Sequence, residues 1–202
     1  MEDESDDDLM IRLQSGETDA FDTLVERYQG RLIGFFMRNT RDIQFAEDLA
    51  QETLLKVYNQ AWNYMPQNRF RGWMFQIGRN LLIDNVRRRS NDALIRAVKR
   101  TQSDEQNEMA RLAEELNSPD EKLIHQETSG IVDELLAELP PEQRETFELH
   151  VFSELSLPEV AEVTDVPLPT CKSRLRLARE KLVEKLKCRG IERPPPVGDG
   201  VV

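Results

Sequence analysis

The stretch from Ser156 to Leu182 constrains this chain more tightly than any other part of it. Ser156-Leu157-Pro158-Glu159 has the form of a capping box, in which the serine hydroxyl accepts from the third helical N–H and the glutamate reaches back to the cap. Leu157, Val160, Ala161 and Thr164 then share an inward face. Asp165-Val166-Pro167 closes that short helix. Leu168-Pro169-Thr170 opens the next, because proline is tolerated in a helical first turn. Helix, short turn, helix is the arrangement that lets a second helix enter a DNA major groove. At about 100° per residue, Cys171, Leu175, Ala178 and Leu182 fall on one face, which must be the core. Lys172, Ser173, Arg176 and Leu177 lie on the other side, flanked by Arg174 and Arg179. That face offers donors for guanine edges and phosphates, one small hydroxyl, and an apolar group suited to a thymine methyl. A helical hairpin with an ordinary basic surface is the plainer alternative. The capping box, the turn length and the segregation of charge together favour nucleic acid.

Charge taken whole argues the other way, at −11 over 202 residues, but its distribution does not. Residues 1–8 hold six acids and no base, and residues 102–121 hold seven acids and one base. Residues 69–100 hold nine Lys/Arg against two Asp, and residues 172–193 hold nine Lys/Arg against three Glu. Phosphate attraction depends on local charge density within a Debye length of about 10 Å. Two basic blocks parted by an acidic one therefore suggest two contact points on one long ligand. Solvated helix faces are the bland alternative for either block alone. No apolar run reaches the roughly 18 residues a membrane helix needs. The acidic start is the reverse of a secretory signal, and two cysteines, Cys171 and Cys188, do not make a disulfide framework. The expectation is a protein of a reducing cytoplasm.

The dominant period is helical, with no strand alternation. Thr18 can cap a helix whose stripe is Phe21, Leu24, Val25, Tyr28 and Leu32. A second helix is expected over about 42–62, and a third from Phe70 to the triplet Arg87, Arg88, Arg89. Residues 90–127 are polar and acidic, contain Ser118-Pro119, and read as a linker. Periodicity resumes with Ile131, Val132, Leu135, Leu136 and Leu139, and Pro140-Pro141 ends one helix and starts another. The proline-rich end reads as disordered.

In the second helix Ala46, Leu49, Ala50, Thr53 and Val57 form the inward stripe. Asp48, Gln51, Glu52, Leu55 and Asn59 point the opposite way. One leucine amid acids and amides is the composition of a helix-docking patch, although a scattered surface leucine is also normal. The third helix is apolar at nearly every angle, so it is central. The loop before it carries Tyr64, Gln67, Asn68 and Arg69. Aromatic and amide groups beside a basic helix are what a single-strand site needs, since an unstacked base requires a ring face and edge partners. Phe70 and Trp73 read equally as core, and for Trp73 the two roles are compatible.

Residues 48–58 (DLAQETLLKVY) resemble the core-polymerase-binding motif of bacterial sigma factors. Residues 70–80 (FRGWMFQIGRN), ending in Arg87, Arg88 and Arg89, resemble their −10 promoter-reading segment. Residues 139–144 (LPPEQR), 155–161 (LSLPEVA) and 172–175 (KSRL) resemble their −35-reading domain. With no room for further domains, the layout is similar to the extracytoplasmic-function (ECF) subfamily. The resemblance covers about 9–90 and 127–188. It implies an all-α chain with an N-terminal helical bundle at 9–92, a flexible acidic linker at 93–126 and a helix-turn-helix domain at 127–190; composition adds an acidic disordered tail at 1–8, outside the family core, and a disordered tail at 191–202. It also implies that Asp48, Gln51, Glu52 and Leu55 dock on core RNA polymerase. Tyr64, Gln67, Asn68, Arg69, Phe70, Trp73, Arg79, Asn80, Arg87 and Arg88 would serve the −10 element. Thr170, Lys172, Ser173, Arg174, Arg176, Leu177 and Arg179 would serve the −35 element. Leu177 stands where the family usually has arginine, Pro169 where it has glycine, and Cys171 where it has valine.

The expected partners are core RNA polymerase and promoter DNA, with an anti-sigma protein as a further candidate, and neither membrane insertion nor an obligate homo-oligomer. No cofactor, metal or catalytic residue is expected. His125, His150, Cys171 and Cys188 lack ligand spacing, and there is no glycine-rich phosphate loop. A free-standing helix-turn-helix repressor or activator is the alternative. It would need a dimer seam, and it leaves the face of Asp48 and Leu55 without a purpose.

Overall fold

A computed structural model describes residues 4–100 and 127–189. Its helices are α1 (Asp6–Gln14), α2 (Asp19–Thr40), α3 (Ile43–Asn59), α4 (Phe70–Arg100), α5 (Glu127–Ala137), α6 (Pro141–Val151), α7 (Leu157–Thr164) and α8 (Leu168–Cys188), with a single 3-10 turn at Ala61–Asn63. No strand occurs among the described residues.

Local chemistry sets these boundaries. Arg41, at φ 56°, ends α2 in the left-handed region, and its amide bonds Met37 O at 2.8 Å. The Asp42 carboxylate then accepts from the Phe45 amide at 3.0 Å and starts α3. α2 and α3 therefore run back to back, and α4 lies against both. Gly78 makes the approach of α3 and α4 possible: a Cβ there would sit 3.0 Å from the Phe36 ring and 3.3 Å from Thr53 Oγ1. Phe35, Phe36 and Phe75 are essentially sealed from water. Each contributes about 1.5–3 kcal/mol relative to an exposed ring.

In the second half, α6 begins with Pro141 in its first turn, and the capping box forms as expected. Ser156 N–H donates to Glu159 Oε2 at 2.7 Å, and Glu159 N–H to Ser156 Oγ at 3.4 Å. Leu135, Leu136 and Leu139 pack against Ala178 and Leu182 of α8 in a small separate core. The main core does not stop at the end of the first half. It runs from Leu24, Phe35 and Phe75 to Leu149, Leu155, Val160, Val163 and Cys171, and α7 lies directly on α4.

Two helices differ from the sequence reading. Residues 5–8, expected in a disordered tail, carry the cap and first turn of α1: Ser5 Oγ accepts from the Asp8 amide at 3.2 Å. Carboxylates are favoured beside a helix N-terminus, so Asp6, Asp7 and Asp8 start the helix rather than prevent it. Leu9, Met10 and Leu13 anchor it. α4 does not end at the arginine triplet but continues to Arg100, because no Gly or Pro interrupts residues 79–100. The first eight residues of the expected linker, 93–100, are thus helical. The rest of that linker, at 101–126, and the expected tail at 191–202 lie outside the described residues, as do residues 1–3.

Candidate nucleic-acid and docking surfaces

The outward face of α8 is built as the helical wheel requires. Cys171, Leu175, Ala178 and Leu182 are buried, while Lys172, Ser173, Arg176 and Arg179 are exposed. Thr170, Arg174 and Leu177 are half-buried at the rim. Thr164 ties α7 to α8 from below, with its hydroxyl donating to Val160 O at 2.6 Å and lying 3.9 Å from Cys171 Sγ. Ser173 turns its hydroxyl to Pro169 O at 3.0 Å, and Arg176 pairs with Glu180 at 2.6 Å. That exposed pair holds the guanidinium only weakly, so it can be exchanged for a phosphate or base edge.

On α3 the opposite faces separate just as cleanly. Thr53 is buried, its hydroxyl donating to Leu49 O at 2.7 Å, and Asp48, Gln51, Glu52 and Leu55 are all exposed. Leu55 is 59% exposed, and the apolar ridge continues past the end of the helix through Tyr58, Trp62 (72%) and Met65 (69%). The sequence reading missed Trp62 and Met65 as surface groups. With Tyr58 they stand three, seven and ten residues beyond Leu55, and that spacing was the available signal.

The loop before α4 departs most from expectation. Tyr64 and Phe70, placed by sequence among the groups that face DNA, are 5% and 2% exposed. Tyr64 packs on Trp73 at 5.0 Å and on Phe70 at 5.8 Å between ring centres, and Phe70 packs on Tyr28 at 5.5 Å. These rings face the core because α1 and α2 cover them, so neither is available to stack on a base here. Trp73 is half-buried. Gln67, Asn68 and Arg69 stay on the surface, and so do Asn80, Arg87 and Arg88. Asn68 has φ 53°, and its amide donates to Asp7 Oδ2 at 2.7 Å, while Tyr64 OH donates to Asp7 Oδ1 at 2.5 Å. Burial, with the Asp7 carboxylate second, pushes the Tyr64 phenol well above its ordinary value. A cavity of about 330 Å³ beside these contacts is lined by Asp6, Asp7, Arg27, Asn68, Phe70 and Arg71.

The cations beside this loop are held by carboxylates from the second half of the chain. Arg79 bonds both Glu145 oxygens, at 2.7 and 3.3 Å. Arg69 meets Glu162 at 2.8 Å, Arg71 donates to Glu154 O at 3.1 Å, and Arg31 pairs with Glu154 at 3.0 Å. Deeper in the same seam, Asn39 donates to Glu148 Oε2 at 3.0 Å, and the Arg38 guanidinium lies 4.3 Å above the Phe152 ring. Burial pushes the Glu148 carboxyl up to about 7, against the opposing pull of Arg38, Arg144 and the Asn39 bond. Among the described residues no three His, Cys, Asp or Glu side chains converge as a metal site requires, and no helix is long and apolar enough to cross a membrane.

Comparison with known proteins matches both halves. The family described as Sigma-70 region 2 covers residues 24–92, and that described as Sigma-70, region 4 covers residues 129–182. The chain is 30% identical over 190 residues to the RNA polymerase sigma-H factor of Pseudomonas aeruginosa, spanning 91% of this chain and 95% of that protein. It is 27% identical over 177 residues to the ECF RNA polymerase sigma factor SigW of Bacillus subtilis, spanning 87% and 94%. Among solved structures, CnrH in complex with the cytosolic domain of CnrY has a TM-score of 0.65 at 23% identity, over 92% of this chain and 99% of that one. The sigma factor RpoE of Bartonella quintana, in complex with the anti-sigma factor NepR, has a TM-score of 0.63 at 24% identity, over 87% and 99%. At such identities the structural likeness speaks to the fold.

Proposed function

The chain belongs to the ECF group of RNA polymerase sigma factors and directs promoter-specific transcription, and from that premise we propose how its surfaces divide the work. The α3 ridge of Asp48, Gln51, Glu52 and Leu55 docks on core polymerase. Gln67, Asn68 and Arg69, with Trp73, Arg79, Asn80, Arg87 and Arg88, serve the −10 element. Lys172, Ser173, Arg174, Arg176 and Arg179, with Thr170 and Leu177 at the rim, serve the −35 element. Polymerase supplies the chemistry, and this chain supplies recognition and the capture of unpaired bases, which offsets a few kcal/mol of unstacking. The division into 9–92 and 127–190 belongs to this reading, as does action in the bacterial cytoplasm, where polymerase and chromosome meet.

One observation carries the reading: α8 presents an open cationic face, while Arg79 of α4 and Arg69 just before that helix are held against Glu145 and Glu162 of the other half. The two promoter elements lie about 25 base pairs, or roughly 85 Å, apart along the duplex at about 3.4 Å per pair. A compact chain of this length has a radius of gyration of only about 17 Å. The closed arrangement therefore cannot serve both elements, and docking on polymerase must part the halves and release Arg69 and Arg79. A relative of the same fold is bound to an anti-sigma factor, and a protein that holds the halves together is the matching inhibitor for this chain.

Reconstituted transcription tests this. Core polymerase plus the chain is expected to start transcripts at discrete promoters, and Asp48→Lys is expected to abolish both the transcripts and co-purification with core. Co-purification that survives Asp48→Lys unchanged would refute the docking assignment. Duplex binding by the free chain as a symmetric dimer would favour a repressor instead.

A further inference from the structure

The first turn of α1 grips the loop that precedes α4. Asp7 takes the Tyr64 hydroxyl on one oxygen, at 2.5 Å, and the Asn68 amide on the other, at 2.7 Å. Two turns later the Gln14 carboxamide donates to Ala61 O at 2.7 Å and to Tyr64 O at 2.9 Å. The loop is thus held at its start, its middle and its end by one helix. Asn68 sits in the left-handed region, at φ 53°, which an L-residue adopts at a cost unless its surroundings hold it there. The Tyr64 ring cannot shift without disturbing Phe70 and Trp73. The neighbouring acids are engaged elsewhere: Asp6 with Tyr28 and Arg27, and Asp8 with Ser5.

We propose that Asp7 is a positioning residue for promoter opening, one that acts through Tyr64 and the Asn68 amide to hold Gln67, Asn68 and Arg69 in the shape that meets unpaired DNA. This rests on the assignment of that loop to the −10 element. It assigns the acidic start of the chain a role opposite in sign to simple repulsion. A carboxylate beside DNA should weaken binding, so neutralising it should tighten binding. A carboxylate that shapes the loop does the reverse.

The experiment uses holoenzyme made with the full chain and a promoter fragment it transcribes, mismatched across the −10 region so that the strands are already parted. Asp7→Ala is expected to weaken binding to this fragment about fivefold or more, the scale of one lost charge-assisted hydrogen bond. Asp7→Asn, which still accepts one bond, should be intermediate. Asp8→Ala, which removes the same charge without touching the loop, should leave binding unchanged or slightly tighter. Tyr64→Phe should weaken it about threefold, and should add little on top of Asp7→Ala, because the two share one bond. Affinity for core polymerase should not move. Asp7→Ala binding that is unchanged or tighter, or that matches Asp8→Ala, overturns the proposal. If Asp7→Ala fails to fold, Tyr64→Phe decides alone: unchanged binding sinks it. The double change of Gln67 and Arg69 to Ala separates the two layers. If that variant binds normally, the loop assignment itself is wrong. If it binds poorly while Asp7→Ala binds normally, only the role of Asp7 is.

Discussion

The −35 face on α8 and the −10 face around α4 carry similar densities of positive charge, yet the fold treats them differently. Lys172, Arg176 and Arg179 lie in the open, and among the described residues the ion pair they make is local, Arg176 with Glu180 four residues on. Arg69 and Arg79 are paired with Glu162 and Glu145, which are 93 and 66 residues away. A face held by local geometry alone is available whenever its helix exists. A face whose cations have distant partners is available only when those partners leave. The chain thus combines a standing reading surface with a conditional one.

The largest effect should come from testing the permanent surface. Leu175→Ala, on the buried side of α8, should lose about 2–5 kcal/mol of stability, whereas Leu177→Ala, at the half-buried rim, should lose less than about 1 kcal/mol. Denaturant midpoints of the two variants measure the difference. Equal losses would mean that α8 does not sit with its cationic face outward.

The conditional surface should respond to pH through Glu148. Its carboxyl titrates near 7 in the closed form and near 4.3 when freed into water, so the closed form binds the extra proton. Closure is then strongest below about pH 4.3 on this account, weakens as pH rises through 7, and is flat above. The full swing is at most roughly 4 kcal/mol. Glu148→Gln removes this one titration and leaves every other group in place, so the useful quantity is the wild-type profile minus that of Glu148→Gln. Energy transfer between dyes on the two halves should show closure falling from pH 6 to pH 8 in wild type, and a flatter profile in the variant. A difference profile without slope would remove Glu148 from the seam.

Two glycines on α4 sharpen the contrast further. Gly78 faces α3, and Gly78→Ala should cost about 1–3 kcal/mol, because its Cβ would meet the Phe36 ring at 3.0 Å. Gly72 faces α7, where a Cβ would lie at an ordinary 3.4 Å from Glu159. Gly72→Ala should therefore leave thermal stability nearly unchanged. A modest effect on binding is expected of Glu145→Gln. Freeing Arg79 from a partly buried pair should raise the affinity of the isolated chain for single-stranded DNA by about fivefold, or roughly 1 kcal/mol. No gain would mean that this pair does not limit access to α4.

Much of the architecture was legible in the residues because helices obey a fixed angular period. The stripe of Ala46, Leu49, Ala50 and Val57 is buried, as is that of Cys171, Leu175, Ala178 and Leu182, and the capping box at Ser156 forms with both its bonds. The misreadings share one cause. Tyr64 and Phe70 belong to a loop and a helix start, where no period says which way a ring turns, and α1 and α2 turned them inward. α1 itself was hidden by its acids, although Ser5 followed by three aspartates and then Leu9, Met10 and Leu13 is a capped helix start.

What the amino-acid order determined by itself is therefore the set of helices, their buried and outward faces, and the two cationic blocks, since each follows from spacing along a single helix. What only the tertiary structure decided is which polar and charged groups meet. Asp7 with Asn68, Glu145 with Arg79 and Asn39 with Glu148 are pairs between segments 61, 66 and 109 residues apart. Contacts at such separations depend on how whole helices dock, and no local pattern encodes them.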